Sequence, residues 1–182
     1  MLEKLKKVKP FWWFVAFFVA VNILWIGPAF LGGGTLKKGS VAPAFSLPLI
    51  PDSSVHLSLE SLRGSTVLLV FWATWCDACL AEIPVVIDLS KRYADRGLVV
   101  VGMNLEPENR PVVGRFLSSS SIPYRNVTVD GQTAAAYRVG ILPAITLVDR
   151  AGSVCKGFTG RTSGFRLARA VERCLDLELP EG

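Results

Sequence analysis

The feature that most constrains the fold is an unbroken apolar run that leads into two closely spaced cysteines. The run Thr66–Trp72 (TVLLVFW) is rich in β-branched and aromatic residues, which is typical of a strand buried on both faces of a sheet. Cys76-Asp77-Ala78-Cys79 follows it, and apolar residues at helical spacing predict a helix over Asp77–Arg96, kinked at Pro84. A Cys-x-x-Cys pair between a strand and a helix indicates a redox-active dithiol.

The positions of the two cysteines predict different roles for them. Cys76 lies at the start of the helix, where unpaired N–H groups and positive potential favour the thiolate, which is the attacking species. Cys79 lies one turn further on, within reach to resolve a mixed disulfide. We therefore predict Cys76 as the nucleophile, Cys79 as the resolving thiol, and no cofactor beyond their redox-active disulfide.

Haem and zinc sites also use Cys-x-x-Cys pairs, but the surrounding residues argue against both. Haem attachment needs a histidine after the second cysteine, and Leu80 stands there. Zinc would have to recruit Cys155 and Cys174, whereas structural zinc sites normally combine two close pairs. The single histidine, His56, rules out a histidine cluster. We therefore predict no metal site.

The rest of the chain predicts an α/β domain. Extended runs at Ala44–Ile50 and Val55–Leu59 predict a β-hairpin ahead of the buried strand. Strands and helices then alternate and end in an antiparallel edge pair of strands and a last helix. The predicted strands are Leu98–Met103, Val127–Val129, Ala144–Val148 and Val154–Phe158, and the predicted helices are Pro111–Ser120, Gln132–Tyr137 and Phe165–Leu175.

The N-terminal part of the chain carries a membrane signal. Phe11–Leu31 is almost wholly apolar, and roughly 20 such residues are needed to cross a bilayer as a helix. Four lysines precede this segment and two follow it, which predicts a cytoplasmic N-terminus and a domain outside the cytoplasm. The alternative is a cleaved signal peptide with its cleavage site near Gly27–Ala29, which also exports the domain.

These signals divide the chain into successive segments. We predict a cytoplasmic basic segment at 1–10, a transmembrane anchor at 11–31, a flexible tether at 32–40, the folded domain at 41–177 and a tail at 178–182. The first forty residues hold six lysines against Glu3 alone, which accounts for the net charge of +5. Because the remainder is formally neutral, we expect no nucleic-acid partner.

Several fragments between about Val41 and Leu175 occur in the order of a known family. They are Gly39–Leu47 (GSVAPAFSL), Leu57–Gly64 (LSLESLRG), Trp72–Cys79 (WATWCDAC) with Glu82 and Pro84 behind it, Val99–Asn104 (VVVGMN) and Leu142–Asp149 (LPAITLVD). Together they resemble the thioredoxin superfamily, in particular its TlpA/ResA/DsbE-like membrane-anchored branch. The resemblance implies a thioredoxin-like fold, with a central mixed β-sheet flanked by helices, an added N-terminal hairpin and a transmembrane helix.

The resemblance also implies which residues lie near the dithiol and what they do. In that family the proline before the fourth strand is cis and faces the dithiol, and Pro143, preceded by Leu142, occupies the matching position. An ordinary trans proline opening a strand is the alternative. Trp75, Leu142 and Pro143 are the implied substrate-binding residues.

Charged residues near the motif bear on its chemistry. Many thioredoxins bury a carboxylate where Val70 stands here, whereas the ResA-like branch often supplies an acid after the next strand, where Glu106 and Glu108 follow. A desolvated carboxylate there could shuttle protons to the dithiol; the alternative is a solvated loop glutamate. Asp77 opposes thiolate formation at Cys76, which predicts a reductant rather than a strong oxidant.

The resemblance implies thiol–disulfide exchange on disulfide-bonded exported proteins. Reduction is the implied direction, with apocytochrome c among the substrates and a membrane electron donor of the DsbD/CcdA type. The domain would lie in the periplasm or at the extracytoplasmic face. Alternatives are general periplasmic exchange or oxidation, a peroxiredoxin-like peroxidase, whose active-site proline is missing here, and a redox-inert binding module, which intact Cys76 and Cys79 disfavour.

Cys155 and Cys174 form the other cysteine pair. The last helix is expected to run back against the last strand, which brings the end of the helix near the start of the strand. A structural disulfide is therefore plausible in an exported domain. The alternative is two buried free thiols that act as small apolar residues.

Overall fold

A computed structural model of the chain describes residues 12–18, 21 and 34–177, and the chain divides into two units between Gly33 and Gly34. Of the predicted anchor 11–31, residues 12–18 and 21 are described, and they are helical and exposed. The rest of the anchor, the basic segment 1–10 and the tail 178–182 lie outside the described residues. Among the described residues, no helix has the length and apolar character needed to span a bilayer.

The second unit is an α/β domain built on one mixed sheet of seven strands in the order β2-β1-β5-β4-β3-β6-β7. Its strands are β1 (Ser46–Ile50), β2 (His56–Ser58), β3 (Thr66–Trp72), β4 (Leu98–Asn104), β5 (Arg125–Thr128), β6 (Ala144–Val148) and β7 (Val154–Thr159). Its helices are α1 (Asp77–Arg92), α2 (Arg110–Ser119), α3 (Gly131–Ala136) and α4 (Gly164–Leu175). The predicted order of elements is confirmed.

The centre of the sheet is parallel and its margins are antiparallel. Strands β3, β4 and β5 run parallel, whereas β6 pairs antiparallel with β3, and β7 with β6. The predicted hairpin of β1 and β2 forms, and it also joins the main sheet because β1 pairs antiparallel with β5, with Leu49 opposite Val127. The sequence did not indicate this last pairing.

The core lies on both faces of β3, all seven residues of which are buried. On one face α1 and α4 pack together through residues that include Leu89 and Leu167. On the other face the hairpin and Tyr137 cover the sheet. Full burial of each such large apolar side chain stabilises the fold by about 1.5–3 kcal/mol, so both layers hold the end of β3 in place.

Two local features differ from the predictions. Helix α1, with Pro84 inside it as predicted, ends at Arg92 rather than Arg96. A 3₁₀ turn over Ala94–Arg96 follows, closed by Gly97 at φ 86°, a left-handed conformation that glycine adopts without steric cost. A cis bond between Ile50 and Pro51, at the end of β1, was not predicted.

Residues from the predicted tether 32–40 lie against the edge strand β7. The N–H of Gly39 donates to the carbonyl of Val154, and the N–H of Val154 donates to the carbonyl of Ser40, both at 2.8 Å. Thr35 packs against Gly157, where an added Cβ would lie 2.4 Å from the Thr35 side chain. Residues 35–40 therefore form part of the domain, beside β7.

Cys155 and Cys174 form a disulfide, with their Cα atoms 5.9 Å apart. Cys155 lies at the start of β7 and Cys174 near the end of α4, as the antiparallel packing of helix and strand requires. Both are buried. The bond fastens the last helix to the edge of the sheet.

Candidate active site

The dithiol motif lies where β3 ends and α1 begins. Cys76 is the N-cap of α1 in an extended conformation (φ −95°, ψ 92°), and the N–H of Cys79 donates to its Sγ at 3.2 Å. The two cysteines form a disulfide with Cα atoms 5.2 Å apart. After reduction, the helix N-terminus would stabilise a Cys76 thiolate by about 0.3–1 kcal/mol.

Apolar side chains surround the disulfide. Cys76 and Cys79 are 7% and 3% exposed, and they belong to a cluster with Trp72 and with Val113 of α2. Beside them Trp75 is 68% exposed. An exposed aromatic ring next to a nearly buried disulfide offers an apolar contact to an approaching polypeptide.

The bond between Leu142 and Pro143 is cis, as the resemblance implied. Leu142 packs against the cluster that contains both cysteines. The carbonyl of Pro143 accepts a hydrogen bond from the N–H of Gly160 at 2.8 Å, which ties the loop to the end of β7. The structure therefore brings the predicted Leu142–Pro143 segment to the dithiol.

The two predicted acids lie in different environments. Glu106 is 5% exposed, and its carboxylate accepts hydrogen bonds from the backbone N–H and the hydroxyl of Thr74, at 2.5 and 2.9 Å, and from the amide of Asn104 at 3.2 Å. Glu108 is exposed, in a 3₁₀ turn over Pro107–Asn109. Glu106 thus holds the loop that leads to Cys76, and Glu108 has no such contact with it.

The model of the Redoxin family matches residues 37–171 of the chain. The chain belongs to the Redoxin family. It is 33% identical over 132 residues to the thiol-disulfide oxidoreductase ResA of Bacillus subtilis (strain 168), covering 72% of each chain. It is 29% identical over 133 residues to the thiol:disulfide interchange protein DsbE of Pseudomonas aeruginosa, covering 72% of this chain and 70% of the relative.

Similarity to a solved structure supports this family assignment. A crystal structure of a putative thiol:disulfide interchange protein DsbE from Chlorobium tepidum superposes with a TM-score of 0.71 at 29% identity, covering 78% of this chain and 99% of the other. The Redoxin domain described here therefore has a thioredoxin-like fold. It is a thiol-disulfide oxidoreductase of the ResA/DsbE type, with Cys76 and Cys79 as its Cys-x-x-Cys pair.

Glu82 is a buried acid of this Redoxin domain to which the sequence analysis assigned no role. It is 3% exposed and lies one turn beyond Cys79 on α1. One carboxylate oxygen accepts from the N–H of Thr162 at 3.0 Å, and the other has no hydrogen-bond partner among the described residues. Burial raises the pKa of Glu82, and the Thr162 hydrogen bond and the charge of Arg161 oppose this rise only in part.

A signal for Glu82 was present in the sequence. The buried residues of α1 are Cys79, Glu82, Val86 and Leu89, which recur at helical spacing along one stripe. An acid on an otherwise apolar stripe is rarely buried unless it is paired. Its position on the inward face therefore marks it as a candidate, whereas Glu106 and Glu108 were identified only by their place after β4.

We predict that Glu106→Gln destabilises the Redoxin domain by about 1–3 kcal/mol, because an amide nitrogen would replace one acceptor oxygen facing the Thr74 and Asn104 donors. Urea unfolding measures the change. Glu108→Gln is the matched control, since Glu108 is exposed, and it is expected to change stability by less than about 0.5 kcal/mol. Equal effects of the two substitutions would contradict the role of Glu106 in holding the loop.

Proposed function

We propose that the domain reduces disulfides of exported proteins. The Cys76 thiolate attacks one sulfur of a substrate disulfide and releases the other as a thiolate. The Cys79 thiolate then attacks Cys76 Sγ, releases the second substrate sulfur and leaves the Cys76–Cys79 disulfide. The observation that carries the proposal is this disulfide at the start of α1, in the apolar cluster against which Leu142 packs.

Regeneration requires two electrons for each turnover. We assign their supply to a membrane dithiol donor of the DsbD/CcdA type, which would reduce the Cys76–Cys79 disulfide by the same exchange in reverse. The exposed face around the dithiol must then accept two partners in turn, the substrate and the donor. Trp75 and the exposed Ile141 next to Leu142 are the apolar groups available to both.

Two features support a place outside the cytoplasm. The segment 11–31 has the length and composition of a membrane anchor. The Cys155–Cys174 disulfide lies far along the chain from the active pair and is buried, which suits an oxidising compartment. We therefore propose a membrane-anchored domain at the extracytoplasmic face, with apocytochrome c among its substrates.

A pair of assays on the full chain tests this function. With dithiothreitol as electron source, the protein is expected to accelerate reduction of insulin disulfides and of an oxidised Cys-x-x-Cys-His peptide that mimics apocytochrome c. Peroxide consumption is the matched assay for a peroxidase. Peroxide turnover without disulfide reduction would favour the peroxidase, and absence of both activities would favour a redox-inert module.

We propose Glu82 as the group that takes the proton from Cys79 during resolution, since it is a buried carboxyl one turn beyond Cys79 on α1, and its raised pKa favours accepting a proton. Glu82→Gln is expected to slow resolution at least about tenfold and to let the mixed disulfide accumulate. Stopped-flow kinetics with Glu108→Gln as control measures this. An unchanged resolution rate would exclude the role.

The same substitution has a separate effect on stability. Because the pKa of Glu82 is raised in the folded state, the folded protein binds the proton more tightly than the unfolded chain, and this contribution to stability is lost as pH rises through the folded pKa. Glutamine does not ionise. The stability of Glu82→Gln relative to the wild type should therefore increase as pH rises above about 4.5. Urea unfolding across this range checks the sign.

Asp77 is proposed to keep the couple reducing. It is exposed in the first turn of α1, next to Cys76, and its charge opposes the thiolate by at most about 2 kcal/mol before solvent screening reduces the effect. Asp77→Asn is expected to raise the reduction potential by about 10–30 mV. Equilibration with glutathione measures the potential, with the exposed Asp95→Asn as control. A lower potential in Asp77→Asn would contradict the argument.

A further inference from the structure

A groove lies between the outer face of α4 and the edge strand β7. It has a volume of about 470 Å³. Its floor is apolar and includes Phe158, Ala170 and the Cys155–Cys174 disulfide, and Leu177 closes one end. Neither the exchange chemistry nor the loop contacts of the dithiol use this surface.

Five cations border the groove, and all are exposed: Lys38, Lys156, Arg166, Arg169 and Arg173. Within the part of the chain that the structure describes, none of them forms an ion pair. The acids at the end of α4 are engaged elsewhere, since Glu172 accepts from the Tyr93 hydroxyl and Asp176, the residue after α4, pairs with Arg96, both at 2.7 Å. The outer face of α4 is therefore strongly basic, although the domain from Val41 onward is formally neutral.

An exposed aromatic ring accompanies these cations. Phe165 is 70% exposed at the start of α4, and the guanidinium of Arg169 lies 5.6 Å from its ring centroid. Basic residues beside an exposed aromatic ring form the combination that binds the interface of an anionic membrane. An acidic protein would complement the charge equally, so the charge alone does not choose between these partners.

The point where the chain enters the domain favours the membrane. Residues 35–40 run beside β7, where Thr35 contacts Gly157 and Lys38 borders the groove. The apolar segment 11–31 ends only a few residues before Gly34. If that segment is a membrane anchor, only a few residues of chain separate the lipid from residues 35–40 on this face.

We propose that the basic groove of α4 and β7 docks on anionic phospholipid headgroups of the membrane that anchors the chain. Arg166, Arg169 and Arg173 bind the phosphates, and Phe165 enters the interface. The inference rests on the proposed membrane attachment, which the experiment examines separately.

Lysine accessibility in the full chain tests the docking. The protein is reconstituted in nanodiscs of phosphatidylcholine, with or without about 30% phosphatidylglycerol, and pulsed with an amine-acetylating reagent. Mass spectrometry measures the rate of acetylation of Lys156, which borders the groove, and of Lys91, which is exposed on α1 outside the groove. Acetylation of Lys156 is expected to slow about fivefold in the anionic discs and to recover in about 0.5 M salt, with Lys91 unchanged.

A matched pair of variants assigns the protection to the groove. Arg169→Gln/Arg173→Gln is expected to restore acetylation of Lys156 in anionic discs, whereas Arg115→Gln/Arg125→Gln, which removes two exposed cations outside the groove, is expected to leave the protection intact. Equal Lys156 rates in the two lipids, equal protection of Lys91, or equal effects of the two variants would overturn the proposal.

Membrane attachment is read from the same samples by co-elution of the chain with the discs. If the chain elutes alone, the anchor is contradicted, and cosedimentation with phosphatidylglycerol vesicles becomes the measurement of docking. The proposal then stands only if Arg169→Gln/Arg173→Gln lowers the sedimented fraction more than Arg115→Gln/Arg125→Gln does. The two proposals thus fail by different observations.

Discussion

Cys79→Ser is expected to accumulate a mixed disulfide with substrate, and Cys76→Ser to form none. Cys76 caps α1 and receives the field of its N-terminal N–H groups, whereas Cys79 lies inside the first turn and its backbone N–H donates to Cys76 Sγ. Without Cys79 the attack on substrate still occurs but resolution does not. Each substitution is expected to lower steady-state reduction about a thousandfold or more, since each removes an obligatory sulfur.

Non-reducing gels and intact mass measure the trapped complex with insulin or the Cys-x-x-Cys-His peptide. The double variant Cys76→Ser/Cys79→Ser is the control, because any complex that it forms must come from Cys155 or Cys174. A complex trapped by Cys76→Ser but not by Cys79→Ser would reverse the assignment of the two cysteines.

Removal of the Cys155–Cys174 disulfide is expected to have the largest effect on stability. The bond closes a loop with a sequence separation of 19, and the loop-entropy model assigns such a cross-link about 3 kcal/mol. Cys155→Ala/Cys174→Ala should therefore lower the free energy of unfolding by about that amount. Urea denaturation of the oxidised proteins measures it.

The control for this prediction is Cys76→Ser/Cys79→Ser, which opens a loop with a sequence separation of only 3. The shorter loop restricts the unfolded chain less, so this variant should lose less stability. If the Cys155→Ala/Cys174→Ala variant lost no more stability than this control, the bond would not fasten α4 to β7 in the way that the structure implies.

Local patterns were sufficient for the elements that carry the chemistry. The β-branched and aromatic run at Thr66–Trp72 has the composition of a buried strand, and β3 has the predicted bounds. The strand, the cysteines and the helix are adjacent in the chain, so their arrangement depends on short-range geometry. The cis bond before Pro143 was expected only through the family resemblance, because sequence alone assigns an X–Pro bond a few per cent of cis.

Contacts between distant parts of the chain could not be predicted from the sequence pattern. The sequence of β1 does not specify that it pairs with β5, because many apolar strands could form the same backbone hydrogen bonds with its edge. Glu106 and Glu108 are two residues apart, yet only Glu106 meets Thr74, because the turn after β4 directs one side chain inward. The sequence placed both acids near the dithiol but could not separate them.

The sequence by itself determined the strand-dithiol-helix unit and its redox chemistry, since these depend on neighbours in the chain. Only the tertiary structure decided the environment of Glu82 and the basic groove of α4 and β7. Glu82 is buried and bonded to the distant loop at Thr162, and the groove forms between α4 and the edge strand, where Lys38 also borders it. The desolvation of Glu82 and the combined charge of the groove both arise when folding brings separate segments together. Neither property belongs to one segment alone.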